Sequence, residues 1–393
     1  MNALPIGIDA ERWITRTGCR NLLVAVHTVV SGQRLMDIVD LVESDARVQL
    51  VYTQAPDVFG HGVSGFLRSA GALEIPWAEA RRERFDLALT AAYGGLDQLH
   101  APVIVMPHGA GYGKRASGRG GVYGLDAQRL MKDGRLLAST VVLAHEQDRE
   151  VLARQCPEAL TAAMVAGDPC YDRMLTSDRM RETYREALGV PPGHQLLVVT
   201  STWGRTSLFG KNIQFLQSLA SQLRRTPVHL AALIHPQVWW CHGRRQVHAW
   251  LSEPRAAGMI LTEPEMDWRA VVIAADFVIG DHGSASVYAA ALGKPVLCAQ
   301  SPADEQLNDT SAQAFLAAHA PRLTRSAPVL PQIQAARAID ARTVVARLTS
   351  KPGHAHRLLR GEIYRQLDLS IPGRHRAPEP IPAPVTQRWY RYA

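Results

Sequence analysis

Lysine is scarce in this chain. Only Lys114, Lys132, Lys211, Lys294 and Lys351 stand among its 43 lysines and arginines; arginine supplies the rest, and against 36 acidic residues the formal net charge is +7. The guanidinium suits bidentate phosphate contacts, although an arginine bias also follows from genome composition alone. A basic surplus is compatible with nucleotides, phospho-polymers, membrane surfaces or nucleic acid, and selects none of them. Cysteine is sparse too. Cys19, Cys156, Cys170, Cys241 and Cys298 are scattered, odd in number and form no CxxC pair. That argues against a zinc ribbon or a disulfide framework and for a reducing compartment. No apolar run reaches about 18 residues, so no membrane-spanning helix is expected. No charged segment followed by an apolar stretch opens the chain, so export is not expected and a cytoplasmic protein is.

Several signatures are missing as well. The first apolar run is followed by Thr28 to Gly32 instead of GxGxxG, which disfavours a dinucleotide fold. There is no GxSxG elbow, no DxD pair, and no RNP, helix-turn-helix, KH or zinc signature. A serine nucleophile, a metal cofactor and a nucleic-acid partner are therefore not expected.

What is present is a globular composition, 47% hydrophobic and 20% charged over 393 residues, enough for two to three domains. Apolar strand-like runs alternate with helical stretches. Strands are expected at Asn21 to His27, Val48 to Tyr52, Asp86 to Thr90, Pro102 to Met106 and Thr140 to Ala144. The pattern restarts after the breaker Pro191-Pro192-Gly193-His194. New strands follow at Gln195 to Thr200, Val228 to Ile234, Gly258 to Thr262, Phe277 to Ile279 and Pro295 to Cys298. Continuous apolar runs separated by helices predict parallel sheets covered on both faces. The fold class expected is α/β, with Rossmann-like domains over 1–185 and 186–368 and an irregular Pro/Arg-rich tail over 369–393.

In such sheets ligands bind beyond the carboxyl ends of the strands, where phosphates meet helix N-termini. Five junctions carry suitable chemistry. In Gly280-Asp281-His282-Gly283-Ser284-Ala285-Ser286 a buried strand gives way to a small polar turn and a helix. Backbone amides and serine hydroxyls there suit an anion, or Asp281 and Ser284 simply cap the helix. In Pro107-His108-Gly109, followed by Lys114 and Arg115, an imidazole suits proton transfer and the cations suit a diphosphate. The same residues also read as a solvated Gly-rich loop, which Arg119 extends. His235-Pro236 places another histidine directly after a strand. His242 and His248 follow it at spacings that do not match a metal-binding helix pair. Ser201, Thr202 and Arg205 could hold anionic groups, with Trp203 as a packing anchor. Gly167-Asp168-Pro169, with Asp172 capping the helix that follows, reads as architecture.

The order and spacing of these junctions resemble the CDP-glycerol glycerophosphotransferase family, the teichoic-acid polymerases and primases, within the GT-B glycosyltransferase architecture. The elements are His108-Gly109 with Lys114, Gly167-x-Pro169-x-x-Asp172, Thr202-Trp203, His235-Pro236, and Asp281 to Ser284 followed by Lys294-Pro295. The resemblance covers about residues 100–300. It implies two domains facing across a cleft, with His108 and His235 in catalysis or phosphate handling and Ser284 on the donor pyrophosphate. The implied partners are a nucleotide-activated donor and a hydroxyl acceptor such as a polyol phosphate, a glycan or a small molecule. An acceptor hydroxyl attacks the glycerol-side phosphorus of CDP-glycerol and expels CMP. No metal or cofactor is implied.

The chain departs from that pattern around the donor turn. Where the family has two adjacent serines, it reads Asp281-His282-Gly283-Ser284. Tyr288 replaces an acidic residue, and Gly204 precedes Arg205 where an arginine directly follows Thr-Trp. The HG-to-Lys interval is one residue longer. The same turn also resembles UDP-GlcNAc 2-epimerases, so a UDP-sugar donor is the alternative. A protein that binds a nucleotide or polymer without catalysis is a third reading. Arg374, Arg376, Arg388 and Arg391, beside Trp389, Tyr390 and Tyr392, also suit peripheral contact with a membrane face.

Overall fold

Continuous apolar runs make the strands interior ones. In β1 (Arg20–Val26), Leu22, Val24 and Val26 enter one core while Leu23 enters the core on the opposite face. Side chains alternate across a strand, so both faces of this sheet are covered. The computed structural model describes residues 15–116, 121–299, 307–374 and 377–384. The chain divides into two units, one reaching to Asp172 and including Thr349–Pro378, the other built from Arg173–Leu348 with the residues from Glu379 onward.

The first unit holds β1, β2 (Val48–Gln54), β3 (Glu74–Ile75), β4 (Leu87–Thr90), β5 (Val103–Val105), β6 (Thr140–Leu143) and β7 (Ala163–Val165). They form a seven-stranded sheet in the order β3-β2-β1-β4-β5-β6-β7, parallel throughout. Five of these strands lie where the apolar runs placed them. β3 and β7, two and three residues long at the two edges of the sheet, were not read from the sequence.

The second unit holds β8 (Gln195–Ser201), β9 (Val228–Ile234), β10 (Ile260–Thr262), β11 (Phe277–Gly280) and β12 (Val296–Cys298). Their order is β10-β9-β8-β11-β12, again parallel. In each sheet the strand order reverses once, between β1 and β4 and between β8 and β11. Those reversals open crevices at the carboxyl ends.

The unit boundaries differ from those read in the sequence. Helix Ala355–Gln366 packs Leu359, Ile363 and Tyr364 into the core built on Leu22 and Leu35, so it belongs to the first unit. Asp172 holds its start, accepting the N–H groups of Gly353 at 2.7 Å and Ala355 at 2.8 Å. Asp172 lies inside helix Pro169–Ser177, not ahead of it as its expected cap, and its carboxylate serves the start of a helix far along the chain. Gly167 sits at φ +94, and a Cβ there would lie 2.9 Å from the Lys351 carbonyl oxygen. Helix Arg181–Ala187 joins the second unit, because Arg181 and Arg185 bind Asp276 at 2.6 and 2.8 Å. The Pro-rich end is partly docked there too. The Ile381 N–H donates to Ser177 Oγ at 2.9 Å, and its carbonyl accepts the Tyr184 hydroxyl at 2.5 Å. Of the basic and aromatic tail residues only Arg374 lies within the described residues; Arg376, Arg388, Trp389, Tyr390, Arg391 and Tyr392 lie outside them. No described helix is long and apolar enough to cross a membrane.

Leu359 is fully buried. Leu359→Ala is expected to lower the unfolding free energy by about 2–5 kcal/mol in urea titrations. An unchanged midpoint would show that this helix contributes nothing to the first unit's core.

Candidate functional site

At the reversal in the second sheet, Asp281 joins two strand-end loops. It is 2% exposed. Its Oδ2 accepts from the Thr202 N–H at 2.8 Å, the Thr202 hydroxyl at 2.7 Å and the Leu208 N–H at 3.2 Å. Its Oδ1 accepts from the Gly283 N–H at 3.2 Å. The carboxylate is thus consumed by the protein's own donors. Ser286 is also turned inward, 3.1 Å from the Thr200 hydroxyl. A Cβ at Gly280 would fall 2.2 Å from Ser286 Oγ and 2.5 Å from Thr200 Oγ1, which explains the glycine. Ser201 accepts from the Phe209 N–H and donates to the Thr202 carbonyl, both at 2.9 Å. His282 is buried and lines a small cavity of about 10 Å³ with Cys298. Of the residues expected to meet a donor, Asp281, Ser286, Ser201 and His282 therefore build the turn from within.

Gly283, Ser284 and Ala285 are half-buried and Arg205 is exposed. Helix Ser284–Ala291 begins here with no side-chain cap from Gly283. Its first N–H groups have no carbonyl a turn earlier within the helix, and the dipole makes this end positive. Tyr288 is inward-facing, with its ring 5.6 Å from Trp268. Lys294 lies at the amino end of β12, away from the turn, and donates to the Ile273 carbonyl at 3.0 Å. Burial, together with Arg181, pulls its basicity down to about 8.

His235 follows β9 on the same carboxyl edge. Its N–H donates to the Ser201 carbonyl at 3.1 Å. Its Nδ1 accepts the Gln237 N–H at 3.1 Å, capping helix Pro236–His242. A backbone N–H can only donate, so Nδ1 is unprotonated and Nε2 carries the proton. The exposed Trp203 ring lies 6.3 Å from the imidazole. His242 packs on Trp250 at 5.0 Å, and His248 meets Glu263 at 3.2 Å. Among the described residues no group of three His, Cys, Asp or Glu side chains is placed to hold a metal ion.

On the first sheet's carboxyl edge the opposite tautomer stands. His108 Nδ1 lies 3.1 Å from the Ala91 carbonyl oxygen. A carbonyl can only accept, so Nδ1 carries the proton and Nε2 holds a lone pair. The surrounding protein, then the Arg34 and Lys114 cations, hold this imidazole below the usual 6.5. The ring itself is exposed, so that desolvation is the crowding of the strand edge and not full enclosure. Arg34 is buried and fixes the loop: it binds Asp168 at 3.0 Å and the Gly109 carbonyl at 2.8 Å. Lys114 is exposed, and its carbonyl accepts the Tyr123 N–H at 2.9 Å. Arg115 bridges to Val122 across the same ribbon; Arg119 lies outside the described residues.

Two histidines of this edge were missed in the sequence. His27 directly follows β1, is fully buried, and places Nε2 2.7 Å from the Gly94 carbonyl. His145 follows β6, and its Nδ1 accepts the Gln147 N–H at 3.0 Å. The signal was the one used for His235, an apolar run ending in histidine. Arg34, in mid-helix, carries no such signal.

Asp281→Ala strands several buried donors. It is expected to cost roughly 3–5 kcal/mol in chemical denaturation; a loss under 1 kcal/mol would show that the turn holds without it. Asp148 caps the helix after His145, and burial raises its carboxyl to about 6 against the opposing pull of the His145 and Ala144 N–H groups. A raised acid contributes stability that is complete below its unfolded value near 3.8 and lost as pH rises through about 6. Asp148→Asn should therefore gain on the parent by up to about 3 kcal/mol between pH 4 and pH 7. Parallel stability curves would contradict this.

No family model matches the chain, and no curated protein matches it. Solved structures do. A wall teichoic acid polymerase TagF soaked with CDPG shares 10% identity at a TM-score of 0.59, over 89% of this chain and 88% of that one. The S. aureus MnaA–UDP co-structure shares 13% identity at 0.54, over 89% and 98%. UDP-GlcNAc 2-epimerase from Methanocaldococcus jannaschii shares 12% at 0.54, over 88% and 99%. At these identities the likeness establishes the fold, a GT-B-like α/β architecture with two parallel sheets.

Proposed function

We propose that the protein is a group-transfer enzyme that uses a nucleotide-diphosphate donor and a hydroxyl acceptor. Glycerophosphate transfer from CDP-glycerol is the first candidate reaction. The observation that carries this reading is the opposed tautomers of two histidines at strand carboxyl ends. His108 presents a lone pair at Nε2 and His235 presents an N–H there. The first can take a proton from an attacking hydroxyl; the second can only give a hydrogen bond while neutral.

In the proposed step the acceptor oxygen bonds to the glycerol-side phosphorus and its proton passes to His108 Nε2. The bond to the bridging oxygen breaks and CMP departs. On the second unit, His235 Nε2–H and the positive N-terminal end of helix Ser284–Ala291 suit the negative charge of a phosphate. Arg34 is a positioning residue, holding the Gly109 carbonyl beside His108. The CDPG-soaked TagF structure, on the same fold, supports a cytidine donor. The UDP-bound MnaA structure supports a UDP-sugar as the second donor class.

Glutamine places an N–H where Nε2 of histidine stands but cannot accept a proton. His108→Gln should lower kcat about 10²–10⁴-fold. His235→Gln should keep at least tenfold more turnover than His235→Ala. The kcat/KM profile should fall on the acid side with an apparent pKa under 6.5, a limb absent in His108→Gln. Equal losses for the two glutamine variants, or a persisting acid limb, would overturn the assignment. Calorimetric binding of CDP-glycerol or a UDP-sugar without release of CMP or UDP would leave a nucleotide-binding protein without catalysis.

A further inference from the structure

A pocket of about 400 Å³ opens at the carboxyl ends of β2 and β3 in the first unit. None of the residues on its wall was singled out in the sequence. Gln54, the last residue of β2, Ser64, Glu74 of β3 and Asp57 supply its polar groups, and Pro56 and Trp77 its apolar face. The Ser64 hydroxyl lies 2.9 Å from Gln54 Oε1 and 2.8 Å from Glu74 Oε1. Gln54 Nε2 is engaged by the Gly60 carbonyl at 3.0 Å. One hydroxyl proton thus faces two acceptor oxygens, and one of the amide's two N–H groups is already held by Gly60. The wall has an excess of acceptors, carries two carboxylates and includes no cation.

Such a wall favours a ligand that brings hydrogen-bond donors and no negative charge. Hydroxyl groups fit, and the flat Trp77 indole offers a face for the C–H side of a sugar ring. A phosphate would meet two carboxylates and no cation to balance its charge. Asp57 follows β2 and His108 follows β5, so the pocket lies on the same carboxyl edge of the sheet as that histidine. We propose that this pocket takes the acceptor, and that the acceptor is a neutral polyhydroxylated compound, a sugar or alditol end, and not a polyol phosphate. The proposal rests on the transferase reading for the word acceptor; the pocket's preference for neutral hydroxyls does not.

The test is binding to the full chain by saturation-transfer NMR and calorimetry without donor. The probes are methyl glucoside and sorbitol against glucose 6-phosphate and glycerol 3-phosphate. The neutral probes should bind at least tenfold more tightly than the phosphates. Trp77→Phe should keep sugar binding and Trp77→Ala should lose at least tenfold. Since Trp77 packs on the first unit's core, Glu74→Gln serves as a second variant: it should narrow the discrimination against phosphate several-fold with an unchanged melting temperature. Phosphates binding as tightly as neutral probes, or discrimination unmoved by Glu74→Gln, would overturn the proposal. Turnover with a phosphate-ended acceptor that is indifferent to Trp77→Phe and Glu74→Gln would sink the pocket and leave the transferase. Sugar binding here with no transfer from any nucleotide donor would sink the transferase and leave the pocket.

Discussion

One buried carboxylate holds the carboxyl edge of the second unit's sheet together. Asp281 stands where the strand order reverses and answers donors from the loop after β8 and the loop after β11. A parallel sheet leaves a gap between strand ends at such a point, because the two connections leave in opposite directions. Asp281 closes that gap with four hydrogen bonds and sets Gly283 ahead of helix Ser284–Ala291. Its negative charge is spent on these donors, and the helix begins beside it at the half-buried Gly283, Ser284 and Ala285.

The histidines show how backbone partners divide chemistry between identical side chains. A carbonyl at Ala91 and an N–H at Gln237 give His108 and His235 opposite protons. Neither assignment depends on a charged neighbour. Each follows from whether the nearest main-chain group donates or accepts, and that in turn from whether the imidazole caps a helix. His235 caps Pro236–His242, as His145 caps Glu146–Gln155. His108 lies past β5 in a loop and meets a carbonyl from the end of the neighbouring strand. Arg34, buried against Asp168, keeps that loop in place from a helix 75 residues earlier in the chain.

Much of the fold was legible because the strands are continuous apolar runs, buried on both faces. The strands that were missed, β3 and β7, are the two edge strands of the first sheet, and their residues are only partly buried apart from Ile75. The allegiance of helix Ala355–Gln366 also stayed open, since an amphipathic stripe does not say which core it enters. At the site, His108 and His235 were visible as histidines after strands, and so were His27 and His145 by the same signal. Ser201, Asp281 and Ser286 were read as ligand contacts, whereas the structure turns their oxygens inward. A polar residue in a small turn looks the same in sequence whether its partner is a substrate or the next loop.

The amino-acid sequence by itself determined the alternation of strand and helix, the parallel sheets and the presence of histidine and small residues at strand ends. These are local properties, set by side-chain periodicity and turn chemistry. Tertiary structure alone decided which ring nitrogen of His108 carries a proton, which acids are consumed within the fold, and that Gln54, Ser64 and Glu74 share one wall. His235 and His145 are settled by an N–H two residues on, once their helices form, but His108, Asp281 and the Ser64–Glu74 pair depend on partners in other segments, and hydrogen-bond complementarity between such segments exists only once the strands have taken their order in the sheet.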